Sequence, residues 1–269
     1  MKAAHKSGAV EFTDGEASAA AIDEMLGAAH ARLVHDLAIV RRPPARVGVV
    51  ESRLGPLLAA ESPRGLLALS FLDHSDGGAT IAAIRQLFDP VEDRAVAVRV
   101  GAEIDRLLDG DASAVAGRAV DFSLVPSPFR RRAFQRLRTV PAGAVVTYRA
   151  LAAAIGAPSG QRAIGNTMAT NPVAIYVPCH RVIRSDGSVG NYGGGVDRKL
   201  MLLRSEGFKV DRGNRVPAGA VYGHWLSHIF CRPDCSAVRR AERRQWIIFG
   251  DADHARHAGM RACKLCRPA

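Results

Sequence analysis

The most informative stretch of this 269-residue sequence is Val173-Ala174-Ile175-Tyr176-Val177-Pro178-Cys179-His180-Arg181-Val182. An apolar run leads into one cysteine, and a histidine follows it at once. A free thiol has a pKa of about 8.5, so at neutral pH it needs a partner that takes its proton before it can act as a nucleophile. His180 is such a partner, and Glu206, further along the chain, can hold its imidazole in the required tautomer.

Side chains of adjacent residues in extended backbone point to opposite faces, so Cys179 and His180 should not touch unless the chain turns there. A water molecule between the two is the simpler geometry. The pattern therefore predicts a relay from Glu206 through His180 and a water to Cys179. The alternative, for a lone Cys-His pair, is an inert buried cysteine beside a surface histidine.

Helical segments surround this stretch. They are predicted at Phe129–Arg138, Tyr148–Ile155, Gln161–Thr170 and Asp197–Ser205. The break Gly156-Ala157-Pro158-Ser159-Gly160 separates the second from the third, which is the pattern of a helix-turn-helix. Five glycines between Gly187 and Gly195 predict a flexible loop before the last helix.

The N-terminal half divides into two parts. Apolar residues at helical spacing predict a helical extension over residues 1–45 that packs on the next domain. Residues 46–125 are expected to form a small α+β lobe with no visible catalytic motif. Its predicted strands are Val47–Glu51, Leu57–Ala60, Gly65–Phe71 and Ala95–Val100, and its predicted helices are Thr80–Phe88 and Glu103–Leu108.

Composition narrows the function classes. The chain has 48% hydrophobic residues but no apolar run of the roughly 20 residues that span a bilayer, and its start lacks the apolar region of a signal peptide. We therefore expect a cytoplasmic, nucleoid-associated protein. The 37 Lys and Arg exceed the 26 Asp and Glu, giving a formal charge of +11 that favours a polyanionic partner.

The five cysteines divide into one and four. Cys231, Cys235, Cys263 and Cys266 lie in the last 39 residues as two close pairs, whereas Cys179 is alone. Four thiolates in two pairs are what a tetrahedral zinc site requires, and a small basic domain with few apolar residues needs such a site to fold. We predict a zinc-binding domain at residues 221–269, after a Gly- and Pro-bearing linker at 209–220. The nearby histidines, His224, His228, His254 and His257, are alternative ligands or surface residues.

Several stretches around Cys179 follow one another in the order of a known family. They are Phe129–Arg138, Val145–Tyr148, Arg162–Asn166, Asn171-Pro172, Pro178–Val182, Asn191-Tyr192 and Arg198-Lys199 through Glu206-Gly207. Over roughly residues 126–207 the chain resembles the O6-alkylguanine-DNA alkyltransferases. In that family the cysteine takes the alkyl group from guanine O6 in double-stranded DNA and keeps it as a thioether. Each molecule therefore acts once, and the transfer needs no cofactor.

The resemblance implies an α+β fold. Residues 46–125 would form a ribonuclease-H-like N-terminal lobe of the alkyltransferase, and residues 126–208 its helical, winged-helix-like catalytic and DNA-binding lobe. A small zinc domain would follow at the C-terminus.

The resemblance also assigns roles to particular residues. Cys179 would be the acceptor, His180 and Glu206 its relay, Tyr148 the proton donor to guanine N3, and Asn171 the residue that fixes the cysteine-bearing strand. The guanine must leave the stack to react. Arg162 would then enter the gap in the duplex, Tyr192 would pack on the flipped base, and the small residues Ala163 and Gly165 would let the helix approach the minor groove closely.

The alternative for these small residues is helix-on-helix packing. One position departs from the family pattern, because Gly193 stands where many relatives carry a hydroxyl residue near guanine O6. A lost hydrogen bond there would alter the rate or the substrate range but not the type of reaction.

The C-terminal segments Phe230–Cys235 and Gly259–Pro268 resemble the metal-binding domain of Ada-type adaptive-response proteins. In that family the first cysteine both binds zinc and accepts a methyl group from a DNA methylphosphotriester, which would make Cys231 a second acceptor. Basic side chains would contact DNA phosphates or form a solvated basic face. These are Arg239, Arg240, Arg243 and Arg244.

Two departures from that family leave the role of the domain open. The metal domain comes last instead of first, with no transcription-activating module evident. The tail is also shortened, because only about ten residues precede Cys231 after the linker, where the family has a helix and a longer strand. The alternative function is therefore an alkylation-damage sensor or DNA-binding regulator whose zinc domain is purely structural or docks on DNA. We expect a monomer in either case.

Overall fold

The computed structural model describes residues 23–32, 42–74, 77–240 and 246–268, without the side chain of residue 240. Residues 23–32 form a helix whose side chains are exposed. The remainder of the predicted N-terminal extension, up to residue 41, lies outside the described residues. From Pro43 onward the described residues form one compact unit, and no helix in them is long and apolar enough to cross a bilayer.

The first lobe is built on a four-stranded sheet. Its strands are β1 (Pro44–Val50), β2 (Leu57–Ser62), β3 (Gly65–Phe71) and β4 (Asp89–Glu92), in the order β3-β2-β1-β4. The strands β1, β2 and β3 are antiparallel, and β4 is parallel to β1. The helices are α1 (Gly77–Arg85), α2 (Arg94–Leu108) and the short α3 (Ser113–Ala116). The predicted α+β lobe is confirmed.

One predicted element of this lobe is wrong. Ala95–Val100 is not a strand but the first part of α2, which extends to Leu108. The Asp93 side chain caps this helix by accepting a hydrogen bond from the Ala95 N–H at 2.8 Å. The alternation of apolar residues over six positions looked like a strand, whereas burial follows the helical spacing of Val96, Val100 and Ile104.

The second lobe is mainly helical. Its elements are α4 (Pro128–Leu137), β5 (Ala144–Thr147), α5 (Tyr148–Ala154), α6 (Gln161–Ala169), a 3-10 turn (Cys179–Arg181), β6 (Val182–Ile183) and α7 (Val196–Ser205). Side-chain caps begin two of the helices: Ser127 accepts from the Arg130 N–H, and Thr147 accepts from the Ala150 N–H. The helices α5 and α6, with the Gly-containing turn between them, form the predicted helix-turn-helix pair.

The C-terminal region joins the second lobe through a shared sheet. Its elements are β7 (Val221–His224), β8 (Ile229–Cys231), α8 (Ser236–Arg240), β9 (Trp246–Phe249), α9 (Ala252–His257) and β10 (Arg261–Ala262). The six strands follow the order β10-β8-β7-β9-β5-β6, in which β9 pairs antiparallel with β5. Cys231 therefore lies in the same sheet that leads into α5, and Cys263 directly follows the edge strand β10.

The two regions also share a hydrophobic core. Phe230, Ile247 and Phe249 of the C-terminal region belong to the same buried cluster as Val146 and Cys179. The predicted linker 209–220 is hydrogen-bonded to the glycine loop, because the Val189 N–H donates to the Asn214 carbonyl and the Val216 N–H to the Gly187 carbonyl, both at 3.0 Å. The domain boundaries stay a prediction, but the sheet across them is continuous.

Candidate active site and metal centre

Cys179 lies at the start of a 3-10 turn and is held there by Asn171. The Asn171 Nδ2 donates to the Val177 carbonyl at 2.8 Å and to the Cys179 Sγ at 3.0 Å. Its Oδ1 accepts from the Val173 N–H at 3.1 Å. Asn171 thus binds both ends of the apolar run, although the cysteine lies in a 3-10 turn and not in a strand as expected.

The Cys179 thiol is not activated by its surroundings alone. Burial raises its pKa, and the Asn171 hydrogen bond and the charge of Lys199 oppose that shift only in part. The thiol is 8% exposed. A base must therefore take its proton before the sulfur can attack.

The residues that follow Cys179 form a buried network with Glu206. The His180 Nε2 lies 2.8 Å from the Glu206 Oε1. The Arg181 guanidinium binds the same carboxylate in a bidentate manner, with its Nε donating to Oε2 and its second terminal nitrogen to Oε1, both at 2.8 Å. A third nitrogen of Arg181 donates to the Val140 carbonyl.

The charges in this network fix the histidine tautomer. Burial alone would raise the pKa of Glu206, but Arg181 and His180 outweigh it and hold that pKa at about 2. Burial lowers the pKa of His180, against the effect of Glu206, so the imidazole is neutral at pH 7. Because Nε2 faces a carboxylate, it carries the hydrogen. The Nδ1 is left as an acceptor, and it is buried without a hydrogen-bond partner among the described residues.

A cavity of about 190 Å³ opens beside Cys179. The first lobe supplies part of its wall through Phe71 and His74, two residues that no sequence pattern indicated. The rest of the wall includes Met168, Asn171, Tyr192 and Gly194. A larger cavity, of about 440 Å³, lies at the junction with the C-terminal strands and contains none of the predicted relay residues.

Two tyrosines stand near the thiol. Burial and the neighbouring Cys179 raise the pKa of Tyr148, which is partly buried at the start of α5. The same two causes raise the pKa of Tyr192, whose ring makes edge contacts with Phe71 and His180 at centroid distances of 6.1 and 6.5 Å. Both hydroxyls therefore keep their protons at neutral pH.

Sequence reasoning missed Lys199, whose Nζ is buried and serves the glycine loop. It donates to the carbonyls of Val182 and Val189, both at 2.7 Å, and to that of Asn191 at 3.4 Å. Burial lowers its pKa to about 8, although Cys179 opposes the shift. Arg181 was missed too, although it directly follows Cys179 and His180. Its buried ion pair with a glutamate shows that both residues have a structural role.

The helix α6 presents a thin exposed surface. Arg162 and Ala163 are exposed at its start, and Gly165 is partly exposed with no atom within 4 Å of a Cβ built on it. Ile164, Thr167 and Met168 of the same helix are buried. The small residues therefore face outward, and the helix packs through its larger ones.

The four C-terminal cysteines form one cluster. Their sulfurs all lie within 4.8 Å of one another. A tetrahedral zinc site with Zn–S bonds of about 2.3 Å places its sulfurs roughly 3.8 Å apart, so these four thiols fit the ion. The Arg232 N–H donates to the Cys266 Sγ at 3.4 Å. Among the described residues the cluster contains no histidine.

The cluster is more open on one side than on the other. Cys231 and Cys235 are 2% and 4% exposed, whereas Cys263 and Cys266 are partly exposed. Burial and the other three thiols raise the pKa of Cys231, a cost that a bound cation removes. Of the predicted basic contacts, Arg239 is exposed at the end of α8. The side chain of Arg240 and the whole of Arg243 and Arg244 lie outside the described residues.

Comparison with known proteins places the two regions in two families. Residues 128–208 match the 6-O-methylguanine DNA methyltransferase, DNA binding domain, and residues 210–269 match the metal binding domain of Ada. The chain is 31% identical over 204 residues to the bifunctional transcriptional activator/DNA repair enzyme Ada of Escherichia coli, covering 75% of this chain and 55% of that protein.

Two further similarities cover almost the whole of a smaller protein. The chain is 35% identical over 161 residues to the methylated-DNA–protein-cysteine methyltransferase of Salmonella typhimurium, covering 59% of this chain and 94% of that protein. The crystal structure of Mycobacterium tuberculosis OGT in complex with DNA matches with a TM-score of 0.50 and 30% identity, covering 60% of this chain and 93% of that one.

Proposed function

Since the chain belongs to the methylated-DNA–protein-cysteine methyltransferase family, we propose that it repairs O6-alkylguanine in double-stranded DNA by irreversible alkyl transfer to Cys179. The observation that supports this acceptor is its setting. A buried thiol, held by Asn171 and followed by a His180–Glu206 pair, lies on the wall of a cavity of about 190 Å³.

The relay begins with the neutral His180. Its Nε2–H is held by the ionised Glu206, so Nδ1 is the acceptor for the thiol proton, through the water expected from the sequence. Arg181 keeps Glu206 charged by two hydrogen bonds to the carboxylate. The relay therefore raises the fraction of thiolate that the burial of Cys179 would otherwise suppress.

The transfer is a displacement at the alkyl carbon. The Cys179 sulfur forms a bond to that carbon, the carbon–O6 bond breaks, and its electron pair passes to the guanine. Tyr148 donates a proton to guanine N3, which neutralises the leaving base; its raised pKa keeps the phenol protonated until then. The product is a thioether, so the protein acts once.

DNA is bound through α6. The exposed Arg162, Ala163 and Gly165 suit close approach to a minor groove, with the arginine filling the gap that the flipped guanine leaves. Tyr192 and the glycine loop cover the base. Since the proposed substrate is DNA, we also propose that the protein acts as a monomer at the nucleoid in the cytoplasm.

A second reaction is proposed for the metal centre. The four cysteines would hold a zinc ion, which would keep the Cys231 thiol deprotonated without a base. Cys231 would then accept the methyl group of a DNA methylphosphotriester, and the phosphate would leave as a diester anion. The burial of Cys231, 2% exposed, favours the competing function, in which the zinc domain is structural or docks on DNA and the protein senses damage.

One labelling experiment tests both reactions. Duplex DNA with a labelled O6-methylguanine should label Cys179, with no more than one equivalent of label per protein molecule. Label elsewhere, or repeated turnover, would contradict the main proposal. Duplex with a labelled methylphosphotriester of defined stereochemistry should label Cys231; zinc-loaded protein that stays unlabelled there would leave the domain with its structural or docking role.

A further inference from the structure

The helix α9 of the zinc-binding region places a side chain against the second lobe close to Glu206. Its His254 ring lies against two glycines of the catalytic lobe. A Cβ built on Gly143 would lie 2.2 Å from the His254 Cδ2, and one built on Gly207 would lie 2.3 Å from its Nε2. Both glycines have positive φ, 73° and 85°, so other residues are excluded there by conformation as well as by space.

Each glycine is tied to the relay. Gly207 directly follows Glu206, and the N–H groups of both residues complete the end of α7 by donating to the Leu202 and Arg204 carbonyls. Gly143 directly precedes β5, and its carbonyl accepts from the Gly250 N–H at 3.2 Å. Three residues before it, the Val140 carbonyl accepts from Arg181, which holds the Glu206 carboxylate.

The His254 ring is itself fixed. Its Nδ1 lies 2.8 Å from the Asp251 Oδ1, and the same oxygen accepts from the His254 N–H at 2.9 Å. The adjacent Ala252 and Ala255 are buried in the shared core. The ring therefore closes a structure that runs from Gly207 through Glu206, Arg181 and Val140 to Gly143.

We propose that His254 is a positioning residue for the alkyltransferase: its ring clamps the Gly143 and Gly207 turns and thereby holds Glu206 against His180. The zinc-binding region then contributes a positioning residue to the catalytic lobe in addition to its own metal site. This inference rests on the proposed function of Cys179. A displacement of about 1 Å in such a support can cost up to a hundredfold in rate.

The test uses the full-length, zinc-loaded protein and duplex DNA with one O6-methylguanine. We expect H254A to lower the maximal single-turnover rate of transfer to Cys179 by about tenfold to a hundredfold, with an unchanged half-saturating DNA concentration. The matched control is H257A, because His257 lies on the same helix, is exposed, and has its Nδ1 2.9 Å from the Asp253 carbonyl oxygen. It should transfer at the wild-type rate.

A readout of the relay separates positioning from mere stability. The pH dependence of Cys179 alkylation by iodoacetamide, followed by mass spectrometry of its peptide, should change in H254A and not in H257A. The titratable and charged groups that face Cys179 and its relay are His180, Glu206, Arg181, Lys199, Tyr148 and Tyr192, and none of them is altered by either substitution.

Two conservative variants keep the test decisive if H254A does not fold. H254F keeps a ring against the glycines and should transfer within about threefold of wild type, whereas H254N keeps a donor to Asp251 and should be slow. Equal rates in H254F and H254N, or a slowed H254A with an unchanged pH profile, would overturn the inference. A wild-type protein that does not label Cys179 would instead overturn the proposed function.

Discussion

The two cysteine sites of this chain differ in how the negative charge of a thiolate can be stabilised. Cys179 is a single buried thiol whose pKa burial raises, and a hydrogen-bonded histidine, carboxylate and arginine beside it form the proposed relay. The four C-terminal thiols crowd within 4.8 Å and need a cation. The first site is maintained by packing and the second by metal, yet strands of one sheet adjoin both.

The difference determines how each site fails. A relay of buried groups is lost when one member is changed, because the partner is left charged and unpaired. A zinc site is lost when the metal leaves, and here such a loss removes the support for β9, which pairs with β5 beside Tyr148. The comparison predicts that loss of the Cys179 thiol stays local, whereas loss of the metal spreads.

The largest effect is expected from Cys179→Ala. Transfer from O6-methylguanine should fall to background, since none of the other residues that line the cavity carries a thiol. Zinc content and the melting temperature should stay close to wild type, because the substitution removes a single sulfur atom from a partly open cavity wall. Single-turnover labelling and metal analysis measure these quantities. Transfer that persists in this variant would show that the acceptor has been misassigned.

Removal of the metal should have the next largest effect. In Cys235→Ser, or after chelation, we expect the melting temperature to fall by more than about 10 °C, because structural zinc contributes folding free energy directly. Transfer to Cys179 should fall with it, since Phe230, Ile247 and Phe249 belong to the core that contains Cys179. Circular dichroism and labelling on the same samples measure both.

The matched control for metal loss is His228→Ala, a histidine outside the thiol cluster that should keep its zinc and its melting temperature. Full transfer by metal-free protein would mean that the two sites are independent despite the shared sheet. In that case the proposed coupling between the metal site and Cys179 fails, while the proposal that Cys179 is the acceptor stands.

Much of this arrangement could be predicted from sequence, and the reason is spacing. The helices of the second lobe follow from apolar periodicity and from Gly and Pro breaks. The strands β1, β2 and β3 of the first lobe follow from their flanking turns. The zinc cysteines follow from their two close pairs, because four ligands of one type at short spacing satisfy few other requirements.

What the sequence did not predict depends on contacts between distant residues. Nothing local marks Lys199 as buried beneath the glycine loop, or His254 as lying against Gly143 and Gly207. Phe71 reaches the cavity only because the first lobe packs on the second. The strand wrongly predicted at Ala95–Val100 shows the opposite limit, where a short apolar alternation fits two periods and the Asp93 cap selects one.

A third prediction concerns the carboxylate of the relay. Glu206→Gln leaves Arg181, 7% exposed, without its charged partner, which should cost about 3–5 kcal/mol of the free energy of unfolding. The transfer rate should fall by about a hundredfold or more, as expected when general-base assistance is lost. The exposed Glu51→Gln should change neither quantity.

Acid titration sharpens this third prediction. The pKa of Glu206 is lowered from 4.5 to about 2 in the folded protein, so its contribution to stability is complete above pH 4.5 and is lost as the pH falls towards about 2. Urea unfolding between pH 2 and 7 should therefore show a decline in wild type that is smaller in Glu206→Gln. Identical slopes would mean that the carboxylate is not held by its partners.

The smallest effect is expected at the glycine loop, where the two glycines of the cavity rim differ. A Cβ built on Gly193 meets no atom within 4 Å, whereas one on Gly194 would lie 2.7 Å from the Phe71 ring. Gly193→Ser should therefore fold normally and add one hydroxyl near the reacting base. A neutral hydrogen bond contributes about 0.5–1.5 kcal/mol, which limits the change in transfer rate to about twofold to tenfold.

Comparison of Gly193→Ser with Gly193→Ala isolates the hydroxyl, because both carry the same Cβ. A faster transfer from O6-methylguanine in the serine variant alone would mean that the natural glycine gives up a hydrogen bond to the leaving oxygen. Equal methyl transfer in both variants, with no gain for the bulkier O6-benzylguanine in either, would mean that the relay and Tyr148 already set the rate. Gly194→Ser should lose stability through the Phe71 contact, so the two positions together separate the chemistry of the rim from its packing.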